Sequence, residues 1–232
     1  MAQVKVIISG GFSAAYREVL PEFERATGIQ VTTTSGGSIG NGPNTIGAQL
    51  RRGVPADVVI LSREGLGELM AEGRIVPGTD VDLAGSPLGL AVRAGSPRPD
   101  IATVESLKQA LLRAKSVTFT SSTSGIYLTT SLFPRLGIGA EMAAKSTTTG
   151  VAAVVRGDAD MAIQPASELI PVAGVDFVGT IPAEVQKVNV YAAAVVAGSQ
   201  AADPSRRLIA FLSSEGATAA IRKSGMEPSR AR

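Results

Sequence analysis

Four short stretches of this 232-residue sequence combine hydroxyl side chains with glycine and contain no Lys, Arg, Asp or Glu. They are Ser9-Gly10-Gly11-Phe12-Ser13, Ser35-Gly36-Gly37-Ser38-Ile39-Gly40-Asn41-Gly42, Ser121-Ser122-Thr123-Ser124-Gly125 and Ser146-Thr147-Thr148-Thr149-Gly150. The chemistry open to such residues is the binding of an anion by neutral donors. Where a strand gives way to a helix, free backbone N–H groups and the positive end of the helix dipole face one spot, and hydroxyls add further donors. Taken singly, each stretch reads as an ordinary turn or helix start, with glycine serving the turn. Four of them at the ends of strands read as a site.

What is missing narrows the chemistry further. The chain has no Cys, so thiol nucleophiles, disulfides and thiolate metal sites are excluded. It has no His, which removes the Ser-His-Asp triad, imidazole metal sites and the usual neutral-pH proton shuttle. Proton transfer would fall to Tyr127, Lys145 or a carboxylate. Aromatic residues are 4% with no Trp, which argues against a base-stacking surface and hence against nucleic acid. The net charge of +2 is spread thinly; the doublets Arg51-Arg52 and Arg206-Arg207 read as solvated helix faces. Neither a metal nor a cofactor is expected. No apolar run is long enough to span a bilayer, so membrane insertion is not expected. The start, Met-Ala-Gln-Val-Lys-Val, enters a strand without a signal peptide. The expectation is either a cytosolic chain or a mature form whose signal has been replaced by Met.

The elements that must carry these stretches alternate between strand and helix. Val4–Ile8 reads as a buried strand, followed by a helix with Val19, Leu20, Phe23 and Ala26 on one face and Pro21 kinking or restarting it. Gln30–Thr34 is the next strand. A helix through Ile46 and Leu50 precedes the continuously apolar strand Asp57–Leu61, of the kind covered on both faces. A helix with Leu66, Leu69 and Met70 follows. The pattern then breaks at Gly85-Ser86-Pro87, before a strand Leu88–Arg93. Thr103 caps a helix bearing Leu107, Leu111 and Leu112. A strand at 116–120 leads through the hydroxyl run, with Thr123 or Ser124 as cap, to a helix from Ile126 to Leu136. Helices at 141–145 and 151–157, strands at 160–164, 175–178 and 188–196, and helices at 204–212 and 215–224 complete the chain. Alternating βα units predict an α/β fold with mostly parallel sheets, in which ligands sit beyond the carboxyl ends of the strands. Asp57 and Asp160 read as structural, and Lys145 and Arg156 as solvated helix charges.

The ordered set of Gly-Ile-Gln-Val before Ser-Gly-Gly-Ser, Gly-Val-Pro-Ala-Asp-Val-Val-Ile at 53–60, Thr123-Ser124-Gly125-Ile126-Tyr127 and Val155-Arg156-Gly157-Asp158-Ala159-Asp160 resembles the periplasmic molybdate-binding protein family over nearly the whole chain. The resemblance implies a type II periplasmic-binding-protein fold: two α/β lobes with a ligand cleft between them. Lobe one would be 1–84 plus 197–232, and lobe two 85–196. It also implies a small anionic ligand held by hydroxyls and backbone amides, an ABC permease as partner, a periplasmic location and a monomer. Carried over by motif, the ligand-binding set is Ser9, Gly11, Phe12 and Ser13; Ser35, Gly37 and Ser38; Ser124, Gly125, Ile126 and Tyr127; Thr147 and Thr148; and Gln164. Gly11 stands where the family has serine, leaving Ser9 or Ser13 to substitute. Ile163-Gln164-Pro165 stands where the family has Ile-Val-Tyr. Tyr127 fits packing as well as ligand contact.

A second resemblance covers the C-terminal half better. Pro97-Arg98-Pro99-Asp100-Ile101, Glu168-Leu169-Ile170-Pro171-Val172-Ala173-Gly174-Val175, Ile181-Pro182-Ala183-Glu184-Val185-Gln186 and Tyr191 resemble a branch of this superfamily that includes aconitate isomerase. Two functions follow from the two resemblances. One is a solute-binding component of an ABC importer that captures a small oxyanion or carboxylate. The other is an isomerase of a small polycarboxylate, working by proton transfer in the same cleft.

Overall fold

The computed structural model describes residues 2–229, and the chain forms two compact units. One holds the chain up to Gly85 and again from Val190; the other is Ser86–Asn189.

Unit one begins with β1 (Gln3–Ile8), α1 (Gly10–Thr27), β2 (Gln30–Ser35), α2 (Ile46–Arg51), β3 (Val58–Ser62) and α3 (Arg63–Ala71), then enters β4 (Val81–Arg93). β1 lies parallel to both β2 and β3, with Ile8 opposite Ser35 and Ile60. The three strands therefore end side by side, and the loops leaving them start together. All five residues of β3 are buried. Val58 and Ile60 face one core with Phe12, Tyr16 and Phe23, while Val59 and Leu61 face another with Ile46, Leu66 and Leu69. This two-sided burial is what an uninterrupted apolar run specifies. Phe12, Tyr16, Val19 and Phe23 recur at helical spacing along α1.

Unit two takes β4 onward through α4 (Val104–Arg113), β5 (Val117–Thr118), α5 (Thr123–Tyr127), a π-helical segment Leu128–Leu132, α6 (Phe133–Arg135) and α7 (Gly139–Lys145). It continues with β6 (Ser146–Thr147), α8 (Ala152–Arg156), β7 (Met161–Pro165), α9 (Ala166–Leu169), β8 (Val175–Thr180) and the start of β9 (Val188–Val195). β9 carries the chain back into unit one, where α10 (Ala202–Leu212), α11 (Thr218–Lys223) and β10 (Glu227–Pro228) follow. β5 pairs in parallel with β6 and β7, setting Thr118 opposite Thr147 and Ala162. β4 runs antiparallel to β7 and β8. In unit one β9 runs antiparallel to β3, with Tyr191 opposite Ser62. The fold is the α/β type II periplasmic-binding-protein class, with mixed rather than mostly parallel sheets.

Several sequence expectations change in detail. Pro21 does not restart α1, which runs through it as one helix from Gly10 to Thr27. Pro21 lies on the exposed side, so the carbonyl it leaves without a donor can be hydrated. Gly85-Ser86-Pro87 does not break the chain; it lies within the 13-residue β4. There the strand changes partners, pairing with β10 at Ala84 and Gly85 and with β7 from Leu88, so the missing N–H of Pro87 falls where one ladder gives way to another. The helix expected from Ile126 starts at Thr123, with Ser122 in the cap position. Its π turn precedes Pro134, which has no N–H to give, and Thr129 and Thr130 donate their hydroxyls to the carbonyls of Gly125 and Ile126 at 2.9 and 2.7 Å. Met70 is 41% exposed, off the buried face of α3. Thr103 does cap α4, in a reciprocal capping box with Ser106.

Lys145, expected as a solvated charge, is a tie between helices. Its Nζ donates to the carbonyls of Leu111, Leu112 and Ala114 at 2.7, 2.8 and 2.7 Å, satisfying the C-terminal end of α4. Lys145→Met removes these charge-assisted bonds and should cost about 1.5–3 kcal/mol. The check is the midpoint of urea unfolding; a midpoint equal to wild type would show the contact to be energetically idle.

Candidate functional site

Each unit assembles its own set of donors at the carboxyl ends of its strands. In unit one, Ser9 follows β1 with extended backbone (φ −83°, ψ 161°), held by its N–H donating to the Ile60 carbonyl at 2.8 Å. Its hydroxyl does not cap α1, is buried, and has no hydrogen-bond partner among the described residues. Leaving a buried hydroxyl unpaired normally costs about 1–3 kcal/mol; Ser146, Ser167, Ser205 and Asn189 also carry such unpaired atoms, and of these Ser9 is the one that precedes the long helix α1. The first-turn amides of α1 at Gly10, Gly11 and Phe12 have no intrahelical acceptor, and no acidic residue occupies that turn to compete for them. An anion at Ser9 would meet these amides and the positive helix end.

Gly11 is glycine for a definite reason. A Cβ there would fall 1.8 Å from Cζ of Tyr191, whose phenol end packs against the helix start. β9 brings that ring in by pairing Tyr191 with Ser62. The Tyr191 ring thus fills the space that a side chain at position 11 would need. Ser13 lies one turn further along α1 and is partly buried.

The second loop is largely committed to its own construction. The Gly37 N–H donates to the Asn44 carbonyl at 3.2 Å, and the buried Ser38 hydroxyl accepts the Ser62 N–H at 2.9 Å. Ser35 is exposed at the end of β2, its carbonyl accepting from the Gln49 amide at 3.0 Å. Of Ser35, Gly37 and Ser38, Ser35 alone keeps its own donor turned to the surface.

In unit two, Ser124 is buried as the second residue of α5, not its cap. A Cβ on Gly125 would lie 1.7 Å from the Thr120 carbonyl oxygen, so only glycine permits this turn to close. The amides of Ser124 and Gly125 precede the first helical bond. That bond is made by Ile126, whose N–H donates to the Ser122 carbonyl at 3.0 Å and whose side chain is exposed. The Tyr127 hydroxyl donates to the Val185 carbonyl at 2.7 Å, and Lys187 lies over its ring at 6.0 Å. Tyr127 is a strut of the unit, and with Lys145 committed to α4 neither of these candidate bases has a free functional atom.

Thr147 and Thr148 are exposed, the Thr147 carbonyl accepting from the Phe119 N–H at 3.1 Å. Gly150 takes φ 77°, a left-handed value suited to glycine. A Cβ there would also press on the Gln164 Oε1 at 3.2 Å. Gln164 itself is buried at the end of β7. Its Oε1 accepts the Val151 N–H at 2.6 Å, and its Nε2 donates to Glu168 Oε2 at 2.6 Å. Gln164 therefore joins the 147–151 loop to a carboxylate that the search for charged residues within the hydroxyl stretches missed. Glu168 stands four residues past Gln164, at the far end of a one-turn helix; only that short spacing hinted at the contact. Burial pushes its carboxyl above the ordinary value of 4.5, and the Gln164 hydrogen bond opposes the shift.

Asp57 and Asp160 are structural, as expected. Asp57 accepts from the Lys5 N–H at 2.8 Å and the Ser199 hydroxyl at 2.6 Å; Asp160 accepts from the Lys115 N–H at 2.7 Å. A depression of about 890 Å³ in unit one lies by Lys5, Asp57 and Arg74 at the amino ends of the strands. The unpaired Ser9 hydroxyl and the first-turn amides of α1 are at the other end of the strands. Among the described residues no group of three His, Cys, Asp or Glu could hold a metal ion.

Comparison with known proteins gives the family and the fold of the chain. The model of the bacterial extracellular solute-binding protein family matches residues 4–227. Aconitate isomerase from Pseudomonas sp. is 39% identical over 227 residues, covering 96% of this chain and 87% of that protein. The periplasmic molybdate-binding protein of Azotobacter vinelandii superposes with a TM-score of 0.78 at 18% identity, covering 99% of this chain and all of that one. The sulfate-binding protein of Mycobacterium tuberculosis gives 0.74 at 21% identity, covering 98% and 87%. At those identities the two structures speak for the fold alone.

The unpaired hydroxyl at Ser9 yields a test that separates structure from binding. Ser9→Ala removes a buried, unsatisfied group, so the melting temperature should hold or rise. If the hydroxyl meets an anion, affinity should fall by about 1.5–3 kcal/mol, roughly tenfold or more. Lowered stability with unchanged affinity would make Ser9 a structural residue.

Proposed function

The chain belongs to the bacterial extracellular solute-binding protein family, and we propose that it captures a small carboxylate-bearing anion through neutral hydroxyl and amide donors at the carboxyl ends of its strands. The observation that carries this reading is the buried Ser9 hydroxyl, unpaired at the start of an 18-residue helix whose first turn carries no acid. Ser124 and the Gly125 amide are the corresponding donors of unit two. Amides and hydroxyls fixed in advance stabilise an anion without the cost of reorienting water. Delivery to a membrane permease of the ABC importer class, and a periplasmic location, belong to the same proposal. No helix among the described residues is long and apolar enough to cross a membrane itself.

Carboxylate is favoured over molybdate or sulfate by the residues around Gln164. Glu168 is tied through Gln164 to the 147–151 loop and brings a carboxyl able to exchange a proton with a carboxylate solute. Protonated, it could donate to a carboxylate; ionised, it could take a proton from carbon. The 39% identity to an aconitate isomerase points to the same solute class. A second reading therefore stands beside simple capture: isomerisation of a small unsaturated polycarboxylate at the same donors. Glu168 is the observation that favours it, since the chain has no His and its other candidate bases are committed.

A thermal-shift comparison of citrate, cis-aconitate, trans-aconitate, molybdate, sulfate and phosphate tests the ligand class. A ligand at about 100 times its Kd stabilises by about 2.7 kcal/mol, which for a chain of this size raises Tm by roughly 5–10 °C. The carboxylates should give that shift and the tetrahedral oxyanions should give none. A shift with molybdate or sulfate alone would reverse the assignment.

A further inference from the structure

We propose that Glu168 is the proton-transferring residue of this protein, acting as the general base that moves a double bond along a propene-tricarboxylate of the aconitate type. The inference rests on the isomerase reading above and identifies which group would perform its chemistry. Three observations carry it.

The first is that the candidate bases named from the sequence, with the two aspartates that open strands, are committed elsewhere. The Tyr127 hydroxyl is committed to the Val185 carbonyl and Lys145 to the end of α4. Asp57 and Asp160 hold backbone N–H groups.

The second is place. Glu168 is bonded to Gln164, and Gln164 is bonded to Val151 next to the Gly150 turn, so the carboxyl belongs to the same cluster as the unit-two donors.

The third is surroundings. α9 packs on β7 and β8. β7 carries no titratable side chain, and the one on β8, Asp176, faces Arg98 at 3.7 Å and the Gly95 N–H at 3.1 Å. Among the described residues the polar partner of Glu168 is the neutral amide of Gln164, donating to Oε2, and no cation pairs with the carboxylate. A structural carboxylate normally has such a cation or several N–H donors. One with neither is unusually basic, as a general base must be.

The step balances without any co-reactant. The Glu168 carboxylate takes a proton from the methylene carbon beside a substrate carboxylate. The C–H electron pair becomes part of the new C=C, and the old C=C pair shifts to the far carbon. That carbon accepts a proton, which Glu168 returns. One C–H bond breaks and one forms. The negative charge spreads onto the substrate carboxylate, where fixed amides such as those of Ser124 and Gly125 would stabilise it.

The same group also sets a stability signature. Because its folded value lies above the ordinary 4.5, Glu168 contributes stability that is fully present below pH 4.5 and is lost as pH rises through the folded value. Glu168→Gln keeps the shape and the Gln164 bond and should raise the melting temperature at about pH 8.

The experiment follows cis- and trans-aconitate with the full chain in D₂O by NMR, alongside the binding of both compounds. Wild type should interconvert them and place deuterium on carbon. Glu168→Gln should lose about 100-fold or more in kcat while its Kd stays within about threefold. A wild type that interconverts them and a variant that keeps kcat within about fivefold overturns the role of Glu168 and leaves the isomerase reading standing. A wild type that neither interconverts the compounds nor exchanges deuterium overturns that reading and the assignment with it. Should the variant fail to fold, the pH profile of wild-type kcat decides. Activity falling on the acid side with a midpoint above 4.5 supports the base; a flat profile from about pH 8 down to 4.5 overturns it.

Discussion

At the carboxyl ends of these strands the chain approaches itself too closely for a Cβ, and the rest of the donor arrangement depends on that closeness. The Thr120 carbonyl lies where a side chain on Gly125 would be, the Tyr191 ring where one on Gly11 would be, and the Ser38 carbonyl where one on Gly65 would be. Each contact folds a loop back over a strand end and leaves a helix start beside it. A first-turn amide is available to a ligand only while no side chain covers it and no acidic residue claims it. Glycine meets the first condition and the acid-free first turn of α1 meets the second. The hydroxyl-and-glycine composition of these loops is thus a packing requirement as much as a binding one.

This explains how the site was legible in the sequence and where it was not. Strand ends marked by Ser and Gly were visible because small residues cluster only where the backbone turns tightly. The register of parallel β1, β2 and β3 then sets Ser9 and Gly36 side by side without further instruction. Tyr127 and Lys145 misled because a hydroxyl or an amine advertises chemistry, whereas their partners are main-chain carbonyls of Val185 and of α4. Backbone acceptors leave no mark in a sequence. Glu168 was visible only as part of the motif that resembles the isomerase branch; it lies outside the hydroxyl stretches, and its contact with Gln164 comes from the one-turn helix after β7.

The fold was more legible than the site because it follows from alternation. β3 could be read from its apolar run, and α4 from the Thr103 cap and the leucine spacing, since each depends on near neighbours. β4 could not. Gly85-Ser86-Pro87 has the local chemistry of a turn, and the strand persists through it because β10 and β7 take over the pairing in succession. Tertiary pairing overrode local preference there. In α1, Pro21 was tolerated because its bare carbonyl partner faces water.

Gln164 is the point at which structure and chemistry meet. Its amide is fixed at both ends: the carbonyl oxygen receives the Val151 N–H and the nitrogen gives a hydrogen to Glu168. A primary amide offers an acceptor and two donors in a plane, so it can position a carboxyl while the loop positions the amide. A carboxyl buried beside neutral donors resists ionisation because it has lost water and gained no cation. An anion bound at the same donors would add a second negative charge to that environment. Two negative charges held close in low dielectric resist joint ionisation, and sharing a proton relieves the repulsion. In the proposed isomerisation only the ionised form of Glu168 takes a proton from carbon, so the charge of a bound carboxylate raises the pH above which that step can run.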